Sequence, residues 1–273
     1  MIVQQPAVDL FELAYVPEWN SQLQHLKEIA LPEAWNFSFA PTEKMLKNNY
    51  VLERYIFSTF RYQMIKAQSE KTLDDADLYF HIRSGYACFN TGLLTQRYKS
   101  IFCFLERNAL GYTQPWRLRG FFDDAAPQMR KVDPLPSKPL FGLSSEQWSF
   151  SPALPIRVNV DHILEDPQNV LRIPESLRNF PNLPMFLQTG VEIARKIAEM
   201  IPSIVVPQLY QGGVQFLLPI SLADPKEIDL AMTITPIGSY YMASTCLTPH
   251  MAYLNARMLA RPTAPWLLQL VRE

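Results

Sequence analysis

Residues 204–247, IVVPQLYQGGVQFLLPISLADPKEIDLAMTITPIGSYYMASTCL, carry the strongest strand signal in the chain. Four runs rich in branched and aromatic residues, Ile204–Tyr210, Val214–Leu222, Ile228–Thr235 and Tyr240–Leu247, are separated by Gln211-Gly212-Gly213, Asp224-Pro225 and Gly238-Ser239. Glycine supplies the positive φ that tight hairpins need, and the connections are too short for helical crossovers, so an antiparallel meander is expected. Thr248 then caps a helix with Pro249 at its first position, running to about Ala260 before Pro262.

The same reasoning applied upstream gives a second strand set and two further helices. Leu78–Ile82 and Tyr86–Phe89 flank Arg83-Ser84-Gly85, and Ser100–Glu106 and Trp116–Phe122 flank a turn at Asn108–Pro115. Leu52, Tyr55, Ile56, Thr59, Phe60 and Met64 repeat at helical spacing within a helix predicted from Thr42 to about Gln68. Short helical turns are expected over Asp161–Arg178, and a firm helix over Pro184–Met200. Residues 1–40 read as an N-terminal arm with a short helix capped by Asn20 or Ser21 and ending near Pro32. Residues 41–273 read as a single globular domain with a proline-rich connector at 123–155, onto which Phe141, Trp148 and Phe150 are expected to pack. The fold class is therefore α+β: largely antiparallel sheet flanked by a long helix in the N-terminal half, a mid-chain helix and a C-terminal helix.

Composition narrows the chemistry. With 48% hydrophobic residues and 19% charged ones the chain has material for a core and is too apolar for disorder. Its net charge of -1 means that any nucleic-acid contact must come from a local patch. Only 9 glycines are present, and the one close pair, Gly212-Gly213, lacks the neighbours of a phosphate-cradling loop, which argues against Walker-type and dinucleotide sites. Cys88, Cys103 and Cys246 are far apart and outside any C-x-x-C pair, so the reading is a reducing, cytoplasmic setting with buried thiols and no metal or cofactor. No run approaches about 18 apolar residues and the first ten residues lack a signal-peptide pattern, so no membrane association is expected.

Three stretches stand in a suggestive order: Ala87-Cys88-Phe89-Asn90-Thr91-Gly92-Leu93, then Pro207-Gln208-Leu209-Tyr210 with Gln215-Phe216-Leu217-Leu218-Pro219, then Thr245-Cys246-Leu247-Thr248 with Met251-Ala252-Tyr253-Leu254-Asn255-Ala256-Arg257. Together they resemble a bacterial family known as domain of unknown function 3825, from about Glu33 to Leu267. Members of that family are similar to companions of cold-shock and LOTUS-type RNA-binding modules, so the resemblance implies a place in RNA metabolism and, here, a standalone version. His250 departs from the family pattern, where an aspartate is usual.

On the C-terminal helix His250, Tyr253, Leu254, Arg257 and Arg261 share one sector at about 100° per residue. Guanidinium groups fork onto phosphate and a phenol ring stacks on a base, against the plain alternative of a solvated face. Asn90 and Thr91 at a strand end, Arg54 (with Arg61) on the long helix, and Gln208, Tyr210 and Asn255 complete the candidate ligand-binding set. Each has its ordinary reading as turn, surface charge or strand alternation. His162 and His250 are the candidate proton-transfer groups. Asp74, Asp75 and Asp77 read as a solvated loop rather than a metal site. The expected function is an RNA- or nucleotide-binding module with a basic and aromatic pocket. The alternatives are a metal-independent phosphodiesterase, ribonuclease or nucleotide-processing enzyme with a histidine base, and an interaction or homo-oligomerisation domain.

Overall fold

A computed structural model describes residues 9–70, 73–109, 111, 113–139, 148–210 and 213–272. Its contacts cluster into two compact units, residues 1–37 and 42–140 (with 273) and residues 38–41 and 141–272. The boundary falls inside the proline-rich connector. Residues 10–26 are built into the first unit: Leu10, Leu23 and Leu26 are buried.

In the first unit, helix α1 (Trp19–Ile29) and helix α2 (Tyr50–Ser69) accompany a five-stranded sheet. Its strands are β1 (Ala14–Tyr15), β2 (Phe80–Ile82), β3 (Tyr86–Leu94), β4 (Ser100–Arg107) and β5 (Trp116–Asp123), in the spatial order β1-β5-β4-β3-β2. All pairs are antiparallel except the short β1, which runs parallel to β5. Helix α2 buries Leu52, Tyr55, Ile56, Phe60 and Met64, the face that the spacing predicted. Phe60 meets Phe80 and Phe89 with ring centroids 5.8 and 5.7 Å apart. Tyr86, Cys88, Phe102, Phe104, Met129 and Val132 form a second cluster, so part of the connector, the 3-10 turn Pro127–Lys131, packs into this unit.

Three expected boundaries move, each for a backbone reason. The single helix expected from Thr42 is a 3-10 turn at Glu43–Leu46 and then α2, separated by Asn49 at φ 61°. Asn tolerates the left-handed region, so it can break a helix that the apolar spacing alone would run together. Strand β3 does not stop at Phe89 but continues to Leu94 through a register shift between Asn90 and Leu94, with Gly92 at φ 77°. A residue with that φ is a bulge position rather than a chain reversal. Helix α1 begins after Glu18 in a left-handed conformation without a side-chain cap, not at Asn20 or Ser21.

In the second unit, the expected helical turns are Val160–Glu165, Pro167–Arg172 and Glu175–Arg178, followed by α3 (Leu183–Met200) and α4 (Pro249–Leu259). The strands are β6 (Ile156–Val158), β7 (Val206–Tyr210), β8 (Gly213–Ile220), β9 (Leu230–Ile237) and β10 (Tyr240–Leu247), in the order β6-β10-β9-β8-β7. The meander is antiparallel as the sequence indicates, with β6 added in parallel at its edge. Tyr210 pairs with Gly213 across the expected first turn, whose Gln211 and Gly212, like Phe141, lie outside the described residues. Thr248 caps α4 by accepting from the Met251 N–H, as expected.

One face of this sheet holds the core. Phe216, Leu218, Ile220, Leu230, Met232, Ile234, Tyr241 and Ala243 pack with Leu187, Val191, Ala194 and Ala198 of α3. Phe150 stacks on Tyr241 with centroids 5.2 Å apart, so this end of the connector packs as expected. Helix α3 comes close at Gly190, where an added Cβ would stand 2.7 Å from Ile220 Cγ2 and 3.2 Å from the Ser221 carbonyl oxygen. Gly190→Val is therefore expected to cost about 1–3 kcal/mol by forcing helix and sheet apart. A urea midpoint unchanged from wild type would show that the contact yields freely.

Candidate functional site

Strand alternation decides what the other face of the second sheet displays. Because Phe216, Ile234, Tyr241 and Ala243 point into the core, Gln215, Thr235, Tyr240 and Met242 point away from it. Gln208 pairs with Gln215, Thr235 with Met242, and Met242 with Arg157, which makes one row across five strands. Hydrogen bonds run along it: Asn255 Nδ2 donates to Gln208 Oε1 at 2.8 Å, Gln208 Nε2 to Gln215 Oε1 at 3.0 Å, and Gln215 Nε2 to Thr235 Oγ1 at 2.9 Å. Each carboxamide is thus held in one orientation by the next.

The row is covered at one end and open at the other. Helix α4 lies over Gln208, which is 1% exposed, whereas Tyr210 is 53% and Ile237 44% exposed. The exposed Arg157 places its guanidinium carbon 4.2 Å from the centroid of the Tyr240 ring. A guanidinium on an aromatic face is held by the ring quadrupole while its N–H fork still points outward. Rings, amides and an arginine on an open sheet are the groups that stack on bases, bond their edges and pair with phosphate. Of these, sequence reading selected Gln208, Tyr210 and Asn255 and passed over Arg157, Gln215, Thr235 and Tyr240. The period-two alternation of 240–247 was the available signal.

The remaining candidates fall elsewhere. His250, Tyr253 and Arg257 lie on the buried side of α4, with Tyr253 2% and Arg257 7% exposed. This excludes the solvated face, and it also turns the ring and the guanidinium away from bulk solvent. Arg257 is about 160° around the helix from Asn255, so the Tyr253–Arg257 stripe and the amide row occupy different sides of α4. Arg261 follows the helix end and is exposed.

Asn90 and Thr91 serve the β3 bulge. Asn90 donates to the Pro136 carbonyl and accepts from Gly92 N–H, and Thr91 Oγ1 donates to the Ile101 carbonyl and accepts from Leu93 N–H. Arg54 and Arg61 are exposed on α2, and His162 is exposed on a six-residue helix whose Asn159 caps it. An apolar cavity of 390 Å³ beside α3, lined by Gly190, Ile197, Pro219, Leu222 and Trp266 among others, presents no charged side chain.

Burial pushes the thiols of Cys88 and Cys103 up, and that of Cys246 to about 11, so none is a ready thiolate. Among the described residues no group of three or more His, Cys, Asp or Glu is placed to hold a metal ion. His250 donates from Nε2 to the Phe39 carbonyl at 2.7 Å, and burial lowers its pKa below 6.5 against the opposing pull of that bond. The His81 pKa is lowered as well, chiefly by burial. Both rings thus take up a proton less readily in the fold than when it opens. Their contribution to stability is fully present above about pH 6.5 and is lost as pH falls through that value toward the lower folded pKa. Urea midpoints at a series of pH values should decline below about pH 6.5 less steeply in His250→Gln than in wild type. Identical profiles would contradict the assignment.

No described helix is long and apolar enough to cross a membrane. No curated protein and no solved structure matches the chain significantly. The model of one family, domain of unknown function (DUF3825), matches residues 26–266, most of the chain and all three motifs, and the protein therefore belongs to that family.

Proposed function

We propose that this protein is an RNA- or nucleotide-binding module of RNA metabolism whose ligand lies on the open face of the second sheet. The observation that carries the reading is the Arg157 guanidinium seated 4.2 Å over the Tyr240 ring, at the uncovered end of a fixed row of amides. Affinity comes from stacking and from a local positive group, which suits a chain whose net charge is only -1. The resemblance of its family to companions of RNA-binding modules supports the same reading. Proton-transfer chemistry has less support, because Nε2 of His250 is engaged by Phe39 and His162 stands exposed, away from the row.

Fluorescence anisotropy with a labelled single-stranded RNA of about twelve nucleotides tests the proposal. Binding should be tightest near about 50 mM salt and weaken as salt rises. Tyr240→Ala should lose about 1–3 kcal/mol, or roughly 5- to 150-fold in affinity. No binding at low salt, or a Tyr240→Ala variant that binds like wild type, overturns the reading.

A further inference from the structure

The second sheet is not equally closed along its length. The ladder between β8 and β9 runs from Leu230–Ile220 to Ile234–Phe216. On either side the ladders continue further, to Tyr210–Gly213 in one hairpin and to Ile237–Tyr240 in the other. The ladder shared by the two hairpins therefore ends at Phe216 and Ile234, short of both hairpin ladders. Pro236, which has no N–H to offer, stands on β9 just where the shared ladder stops. The side-chain bond from Gln215 Nε2 to Thr235 Oγ1, at 2.9 Å, closes the root of the resulting notch.

The walls of the notch are unequal. Tyr210 and Ile237 are exposed at 53% and 44%, and Gly213 between them contributes no side chain. That glycine is not required by the backbone: its φ is outside the left-handed region, and among the described residues an added Cβ would meet only the Tyr210 carbonyl oxygen, at 3.7 Å. A planar group needs about 3.4–4 Å on each side to stack, and among the described residues, chain neighbours aside, no side chain comes within 4 Å of that Cβ position. Tyr210 and Tyr240 stand three strand spacings apart, about 14 Å. One nucleoside cannot reach both rings.

We infer that the open face takes a single-stranded oligonucleotide of at least about three nucleotides, one base of which stands in the notch over Gly213 with its edge on Gln215 and Thr235. The flanking bases stack on Tyr210 and Tyr240, and Arg157 pairs with a phosphate. A duplex is disfavoured, because its bases are already stacked and cannot enter a notch. This rests on the reading of the preceding subsection and adds the class and length of the ligand.

Competition against the labelled RNA separates the two levels. A trinucleotide should displace it at about tenfold lower concentration than a mononucleotide, and a duplex of the same length should not displace it. Gly213→Leu, which fills the notch, should weaken binding of the single strand by about tenfold, and Gly213→Ala by less. Thermal melting of both variants should match wild type, which separates a filled notch from a damaged fold. If wild type binds the RNA but a mononucleotide competes as well as the trinucleotide, or folded Gly213→Leu binds unchanged, the notch is not the site while the open-face reading stands. If wild type binds no RNA, both fall.

Discussion

Phe216→Ala is expected to destabilise the second unit by about 3–5 kcal/mol, the usual cost of deleting a buried aromatic ring. Phe216 is 3% exposed, and its ring lies edge-on to Tyr241 at 5.8 Å and to Phe150 at 6.1 Å. It closes the shared ladder opposite Ile234, so its loss removes packing at the end of that ladder. Chemical denaturation followed by near-ultraviolet circular dichroism should show the midpoint falling with little change in slope. A loss below about 1 kcal/mol would mean that Phe150 and Tyr241 refill the space, and that this core is less specifically packed than its geometry indicates.

Asp77→Ala should cost the first unit about 1.5–3 kcal/mol through its charge-assisted bonds. Asp77 is 6% exposed and accepts from both terminal nitrogens of Arg83, at 3.0 and 2.5 Å. His81, fully buried, brings Nε2 to 3.4 Å from the same carboxylate. Deleting the acid leaves a buried imidazole and a guanidinium without their shared acceptor. Because Arg83 is 35% exposed, water partly compensates, which keeps the expectation below that for a wholly buried pair. Asp77→Asn retains the shape and one acceptor, and its loss should be smaller. Equal midpoints for wild type and Asp77→Ala would show that the cluster contributes no net stability.

The cluster also shows where sequence reading stops. Asp74, Asp75 and Asp77 look alike as a run of acids, and nothing in their spacing says that Asp77 turns inward to meet Arg83 and His81. By contrast the four meander strands of the second unit and the Thr248-Pro249 helix start were legible, because turn chemistry and capping act within a few residues. The break at Asn49 and the bulge at Gly92 were not, since each depends on a φ that other residues permit but do not demand. The C-terminal helix is the most instructive case. Its wheel grouped His250, Tyr253 and Arg257 in one sector, read as a ligand pocket with a solvated face as the plain alternative, and the fold buries that side. The ligand-facing candidates come instead from counting alternate residues in β8, β9 and β10 against a core that only the tertiary structure identifies.

The direct test of the open sheet face is residue-resolved chemical-shift mapping with a short single-stranded RNA. Perturbations concentrated at the amides of Tyr210, Gly213, Gln215, Thr235 and Tyr240, with a parallel change at the Arg157 side chain, are the predicted result. Perturbations confined to α2 around Arg54 and Arg61, or to the Arg257 side of α4, would contradict it.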